Sequence, residues 1–288
     1  MNTEVLKNFV IPAAFLPLYI FYVFVAVLLF RHRKTEPFNN AVYRLLLLMA
    51  VLDIAALTHQ IIYAPLCRAA GLAIFGASVG FYILASWLAV MEAGMVCQMA
   101  IALNRMTALT LYKYYETFWA GETVRVVTAV VLLSFSVSMA LFVWAAYPNL
   151  MVNTDPNHER FLIRNATGDY GKALAFVAYD AVLNLVCLLV VVGAYVVSLT
   201  RLRKFRRTPG LGAVTMRREI KLTMATLLNV ATLAFGSVAV LLELAYPDTL
   251  SVALSVAYMI YYCGNPVTYV MLDVQLRAKL LNALKGRG

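Results

Sequence analysis

Four carboxylates and one guanidinium stand inside runs of apolar residues: Asp53, Glu92, Asp180 and Glu243, with Arg105 in "IALNRMTALT". An ionisable group in a water-poor setting is costly, so it is kept paired or turned to a cavity, and it marks a functional path by default. Such groups serve ion relay, ligand binding, conformational switching or acid–base catalysis. Catalysis finds no support here. His32, His59 and His158 are scattered, the four cysteines lack metal-ligand spacing, and no nucleophile stands with a base. The chain does not read as an enzyme, and no metal or cofactor is expected.

A second feature is "YYCGNPVTYVML", residues 261–272. Pro266 lacks a backbone donor and clashes with the preceding turn, which costs about 3 kcal/mol or more inside a helix. Asn265 prefers caps and turns to helix interiors. Tyr269 follows one turn later. A helix weakened in this way has two arrangements close in energy, which is what switching requires.

These residues are positioned by apolar segments. Of 288 residues, 63% are hydrophobic and only 13% are charged. A soluble domain is roughly 45–50% apolar and about 25% charged. The mean hydropathy of +0.80 exceeds what one globular core can hide, so the solvent is lipid. A bilayer span takes about 20 apolar residues. Seven such stretches are read at 9–30, 41–66, 78–112, 124–147, 173–199, 222–246 and 251–273. The predicted fold is an all-α integral-membrane bundle of seven transmembrane helices, one domain over residues 1–288. No basic run or small-residue cleavage pattern accompanies the first span, which reads as an anchor rather than a cleaved signal.

Charge sets the expected topology. Of the 24 Lys and Arg residues, 19 fall in one set of alternate connections and 5 in the other. The positive-inside rule puts the 19 in the cytoplasm and the N-terminus outside. The basicity then reflects topology and anionic lipid, not nucleic acid. The sequon Asn165-Ala166-Thr167 falls in a loop predicted to be external, where glycosylation is possible. Cys97, Cys187 and Cys263 lie within spans, and Cys67 is alone at an outer end, so no structural disulfide is expected. The tail, 274–288, places Leu276, Leu280 and Leu284 on one face among basic residues, the pattern of a short interfacial helix.

Depth and helical phase bring the chemistry-bearing residues together. Steps of about 100° per residue put Arg105, Gln98, Gly94, Met91 and Trp87 on one stripe of span three. Asp53 and Asn265 both lie about 20 Å below the outer surface, at about 1.5 Å per residue. Their side chains are expected to meet, with Tyr269 on the cytoplasmic side. Glu92 is rotated from the stripe and is expected to face span five, where Asp180 and Asn184 are one turn apart. Trp87, Met91, Glu92, Asp180, Asn184, Glu243, Tyr258 and Tyr261 are the candidates for an outer ligand pocket, with His59, Gln60 and Tyr262 nearby.

Seven spans, Arg105 closing span three, Asp53 central in span two and Asn265-Pro266-x-x-Tyr269 in the last span resemble the rhodopsin-like G-protein-coupled receptors. "LNRMTAL" followed by "YYETFW" is similar to nematode serpentine chemoreceptors of the V and gamma classes. The resemblance implies a plasma-membrane receptor coupling an external small-molecule or peptide ligand to a cytoplasmic heterotrimeric G protein. It implies that Asn104, Arg105 and Met106 contact the G protein, and that Asp53, Asn265, Pro266 and Tyr269 relay the change. The triplet departs from the usual acidic-Arg-aromatic pattern, span one lacks Asn, span five lacks Pro, span six lacks Trp-x-Pro, and the outer disulfide is missing. Without an acidic neighbour, Arg105 loses an ion pair that would hold it inactive, unless Asn104 or Glu219 substitutes. The alternative is a transporter or channel using the buried carboxylates as an ion path. Against it, no inverted repeat is visible.

Overall fold

The computed structural model describes residues 5–35, 39–69, 77–146, 170–205, 247–272 and 274–284. Every regular element among them is helical. A π-helical turn, Leu6–Val10, leads into α1, Ile11–His32. Helix α2, Ala41–Thr58, continues through a π-helical turn, His59–Tyr63, into a short helical piece, Ala64–Ala69. Helix α3, Ala77–Thr110, is followed by a 3₁₀ turn, Tyr112–Tyr114, and a one-turn helix, Tyr115–Phe118. Then come α4, Gly121–Ala146, and α5, Tyr170–Phe205. Helix α6, Pro247–Leu272, is the seventh predicted span, and α7, Val274–Leu284, is the predicted tail helix. The sixth predicted span, 222–246, lies outside the described residues, as do Asn165, Glu219 and Glu243.

Among the described residues five helical stretches are long and apolar enough to cross a membrane: Ile11–His32, Ala41–Leu66, Ala85–Thr110, Gly121–Ala145 and Ala178–Arg203. In lipid, backbone groups must be satisfied within the segment, which is why continuous helices form here. Helix α2 starts cleanly because the Asn40 side chain accepts a hydrogen bond from the Tyr43 N–H at 3.1 Å, an N-cap. The fifth predicted span ended at 199, but α5 runs on to Phe205. Arg201, Arg203 and Lys204 read as loop by charge. Lys and Arg are good helix formers, though, and their heads can reach water while the backbone stays helical.

Helix α3 is the axis of the bundle. Of its most apolar window 67% is buried, against 28% for α1 and 17% for α4. Ala85, Ala89, Ala93 and Cys97 recur every four residues, and all are fully buried. Small side chains at that spacing let neighbouring helices approach closely, which drives packing where lipid offers no hydrophobic gain. The main core joins α1, α2, α3 and α6 through Tyr22, Leu45, Met49, Ala93 and Met259. On the far side Ala102 of α3 meets Val191, Ala194 and Tyr195 of α5. Large apolar residues such as Ile20, Leu133 and Leu189 are exposed, as a lipid-facing surface requires.

In helix α7, Leu276 and Leu280 are buried in the main core, where the helix packs against α6 and α1, while Arg277 and Lys279 are exposed.

Candidate functional site

Buried polar groups are most numerous on α3, where Glu92, Gln98, Asn104 and Thr107 are all buried, and one hydrogen-bonded junction joins α1, α2 and α6. Asp53 of α2 is wholly buried. Its Oδ2 accepts two hydrogen bonds, from the Tyr22 hydroxyl of α1 at 2.5 Å and from Asn265 Nδ2 of α6 at 2.7 Å. Its Oδ1 has no partner among the described residues. One carboxylate oxygen thus ties three helices at a single point. Hydrogen bonds to such a group are worth about 1.5–3 kcal/mol each when it is ionised and about 1 when it is neutral.

Pro266 stands next to this point. It has no N–H to offer the carbonyl of Tyr262 one turn back, so α6 lacks a helical rung beside Asn265, yet it stays helical through Leu272. Tyr269, one turn further, is buried and lies within electrostatic range of Asp53, Tyr195 and Arg105. Tyr261 is also buried, edge-on to Tyr262 at 4.9 Å, and within range of Asp53. Hydrogen bonds therefore join Tyr22, Asp53 and Asn265, and Tyr269 stands between this junction and the neighbourhood of Arg105. Tyr261 thus lies near the Asp53 junction.

Arg105 is half-buried near the end of α3. Asn104 beside it is 1% exposed, and its Oδ1 accepts a hydrogen bond from the Tyr115 hydroxyl at 3.2 Å. One turn on, Trp119 Nε1 donates to Thr107 Oγ1 at 2.6 Å. The segment "YYETFW" is thereby clamped to the C-terminal end of α3, and Asn104 is turned to that clamp. Met106 packs towards Tyr195 on α5.

Among the described residues, two of the ligand-pocket candidates, Trp87 and Glu92, face different neighbours. Trp87 stacks on His59 of α2, ring centroids 5.0 Å apart and planes at 15°. Glu92 is on another side of α3, 5% exposed and within hydrogen-bonding reach of Asp180 on α5. Asn184 donates to Asp180 Oδ1 at 2.7 Å, as the one-turn spacing predicts. The five residues from Trp87 to Glu92 turn the helix by about 140°, so the two groups address different neighbours. Met91 packs against the main core between them. Tyr258 lies on α6, and Glu243 is outside the described residues.

Sequence reasoning missed Tyr22, Tyr115 and Trp119. A tyrosine midway along an apolar first span was the available signal for Tyr22. It supplies the polar contact that the absent Asn of span one left open. Among the described residues no group of His, Cys, Asp and Glu could hold a metal ion. Cys97, Cys187 and Cys263 are buried free thiols.

Membrane-length helices around a central α3, with a buried polar junction on a Pro-broken helix, describe a multi-pass receptor of the serpentine class. The particular family follows from a match over residues 10–280 to the family described as Srg family chemoreceptor: the chain belongs to that family. It is a family of nematode serpentine chemoreceptors, the group that the motifs around Arg105 resemble, and not a family of enzymes. Comparison with curated proteins returns no match.

Proposed function

We propose that this chemoreceptor couples an external small ligand to a heterotrimeric G protein at the plasma membrane, with its N-terminus outside and its C-terminus in the cytoplasm. The observation that carries the reading is the Tyr22–Asp53–Asn265 junction beside Pro266. A junction of few bonds at a weakened helix can exchange between two arrangements, and a ligand binding one of them better shifts the population. Tyr269 extends the junction to the Arg105 end of α3, where Asn104, Arg105 and Met106 would meet the G protein. The Tyr115 clamp on Asn104 stands where an acidic neighbour of Arg105 would act, so it is the natural brake on this end of the helix.

The test is a cell expressing the chain, with second-messenger output and transmembrane current recorded together while ligands are applied. The reading expects a messenger response that needs G protein and vanishes in Arg105→Ala at matched surface density. A ligand-gated current that persists without G protein would favour the transporter or channel reading instead.

A further inference from the structure

The sequence offered one outer cavity, and α2 and α3 hold one that the polar junction does not use. A crevice of about 240 Å³ is lined by Ala55, Thr58, His59 and Tyr63 of the α2 side and by Ser86 and Trp87 of α3. It forms where α2 passes into its π-helical turn, His59–Tyr63. Such a turn holds an extra residue and occurs frequently at functional sites. Here it carries His59 onto the Trp87 ring and Tyr63 to within 5.3 Å of His59. Ala55 at the mouth is exposed, so the crevice opens on the lipid-facing surface.

The lining selects a chemical class. It has no Asp, Glu, Lys or Arg. Its two aliphatic hydroxyls are already used: Thr58 donates to the Ile54 carbonyl at 2.6 Å and Ser86 to that of Ile83 at 2.7 Å. A charged guest would find no permanent counter-charge there, and burying an unpaired charge is prohibitive. Three aromatic rings and aliphatic walls remain, which favour flat apolar guests through offset or edge contacts. Size bounds the guest as well. An apolar cavity of about 150 Å³ accommodates benzene, so this one holds a single ring with a few added atoms.

We infer that the α2–α3 crevice, with the His59–Trp87 stack as its floor, is a binding site for small, neutral, flat apolar molecules that arrive through the lipid. The inference rests on the reading of the chain as a chemoreceptor and gives its ligand a class and a place. The wider groove between α3 and α4, about 640 Å³ and lined by Tyr82, Phe135, Met139 and Trp144, is a lipid-facing surface and serves as the comparison.

The test reads binding directly on the purified full chain in lipid nanodiscs, with no G protein present, so its outcome is separate from that of the coupling experiment. Tritiated acetophenone, anisole and indole are titrated, with empty nanodiscs subtracted, and benzoate and benzylammonium serve as charged competitors. At least one neutral probe should bind saturably and resist displacement by either charged compound. Ala55→Phe, at an exposed position that tolerates bulk, and Val90→Phe, at a further lining residue on the α3 wall, should each weaken binding at least tenfold with helical content unchanged by circular dichroism. Met139→Phe should leave binding as it is. Three results each overturn the site: no saturable binding of any neutral probe, displacement by the charged compounds as effective as by the neutral ones, or retention of binding in both folded crevice variants.

Discussion

Asn265 donates to Asp53 across 2.7 Å, joining two helices at residues 212 apart in sequence. The same carboxylate oxygen accepts from Tyr22, so α1, α2 and α6 share one buried acceptor. The polar residues that looked out of place in three apolar segments are each other's partners.

Removing Tyr22's hydroxyl tests the third arm of the junction. Tyr22→Phe keeps the ring, which is wholly buried, and deletes one hydrogen bond. It should lower stability by about 1–3 kcal/mol, because a buried acceptor loses a donor that water cannot replace. Denaturation of the detergent-solubilised protein measures this. A stability equal to wild type would show that Tyr22 only fills space.

The clamp at the C-terminal end of α3 makes a separate prediction. Tyr115→Phe removes the donor to Asn104 Oδ1 and should raise signalling in the absence of ligand, while costing no more than about 1 kcal/mol of stability. Trp119→Phe, which removes the donor to Thr107, should act in the same direction. Ligand-free messenger output at matched surface density is the readout, and unchanged output in both variants would remove the brake from the account.

Orientation is tested by chemistry at the surface. Asn165→Gln should abolish a gel shift that glycosidase treatment produces in the wild-type protein. An epitope placed at Met1 should be stained on intact cells. Staining only after permeabilisation would reverse the proposed topology.

Sequence alone carried the architecture a long way, since lipid enforces helices and apolar length marks them. It also carried the Asp53–Asn265 meeting, because depth along two helices is arithmetic. Rotation was harder to read. Trp87 and Glu92 were grouped in one pocket, but the first faces His59 and the second faces Asp180. Neighbours across a bundle depend on how each helix is turned, and these apolar segments have too few polar marks to fix it. The π-helical turn at His59–Tyr63 was invisible for a related reason. One inserted residue shifts the register without changing composition. Tyr115 and Trp119 were noted as a motif, but their hydrogen bonds to α3 depend on a loop path that spacing does not specify.

The central claim is that Asp53 and Asn265 form one switch beside Pro266. Four proteins decide it at equal surface density: wild type, Asp53→Asn, Asn265→Asp, and the reciprocal double variant. Each single change mismatches the pair, leaving two amides or two carboxyls face to face, and should impair ligand-evoked messenger output. The double variant restores one carboxylate and one amide with positions exchanged. If the pair acts as a unit, its dose–response curve recovers part of the lost output, a coupling free energy of about 1 kcal/mol or more. Defects that simply add would contradict the switch and leave Asp53 and Asn265 as independent packing residues.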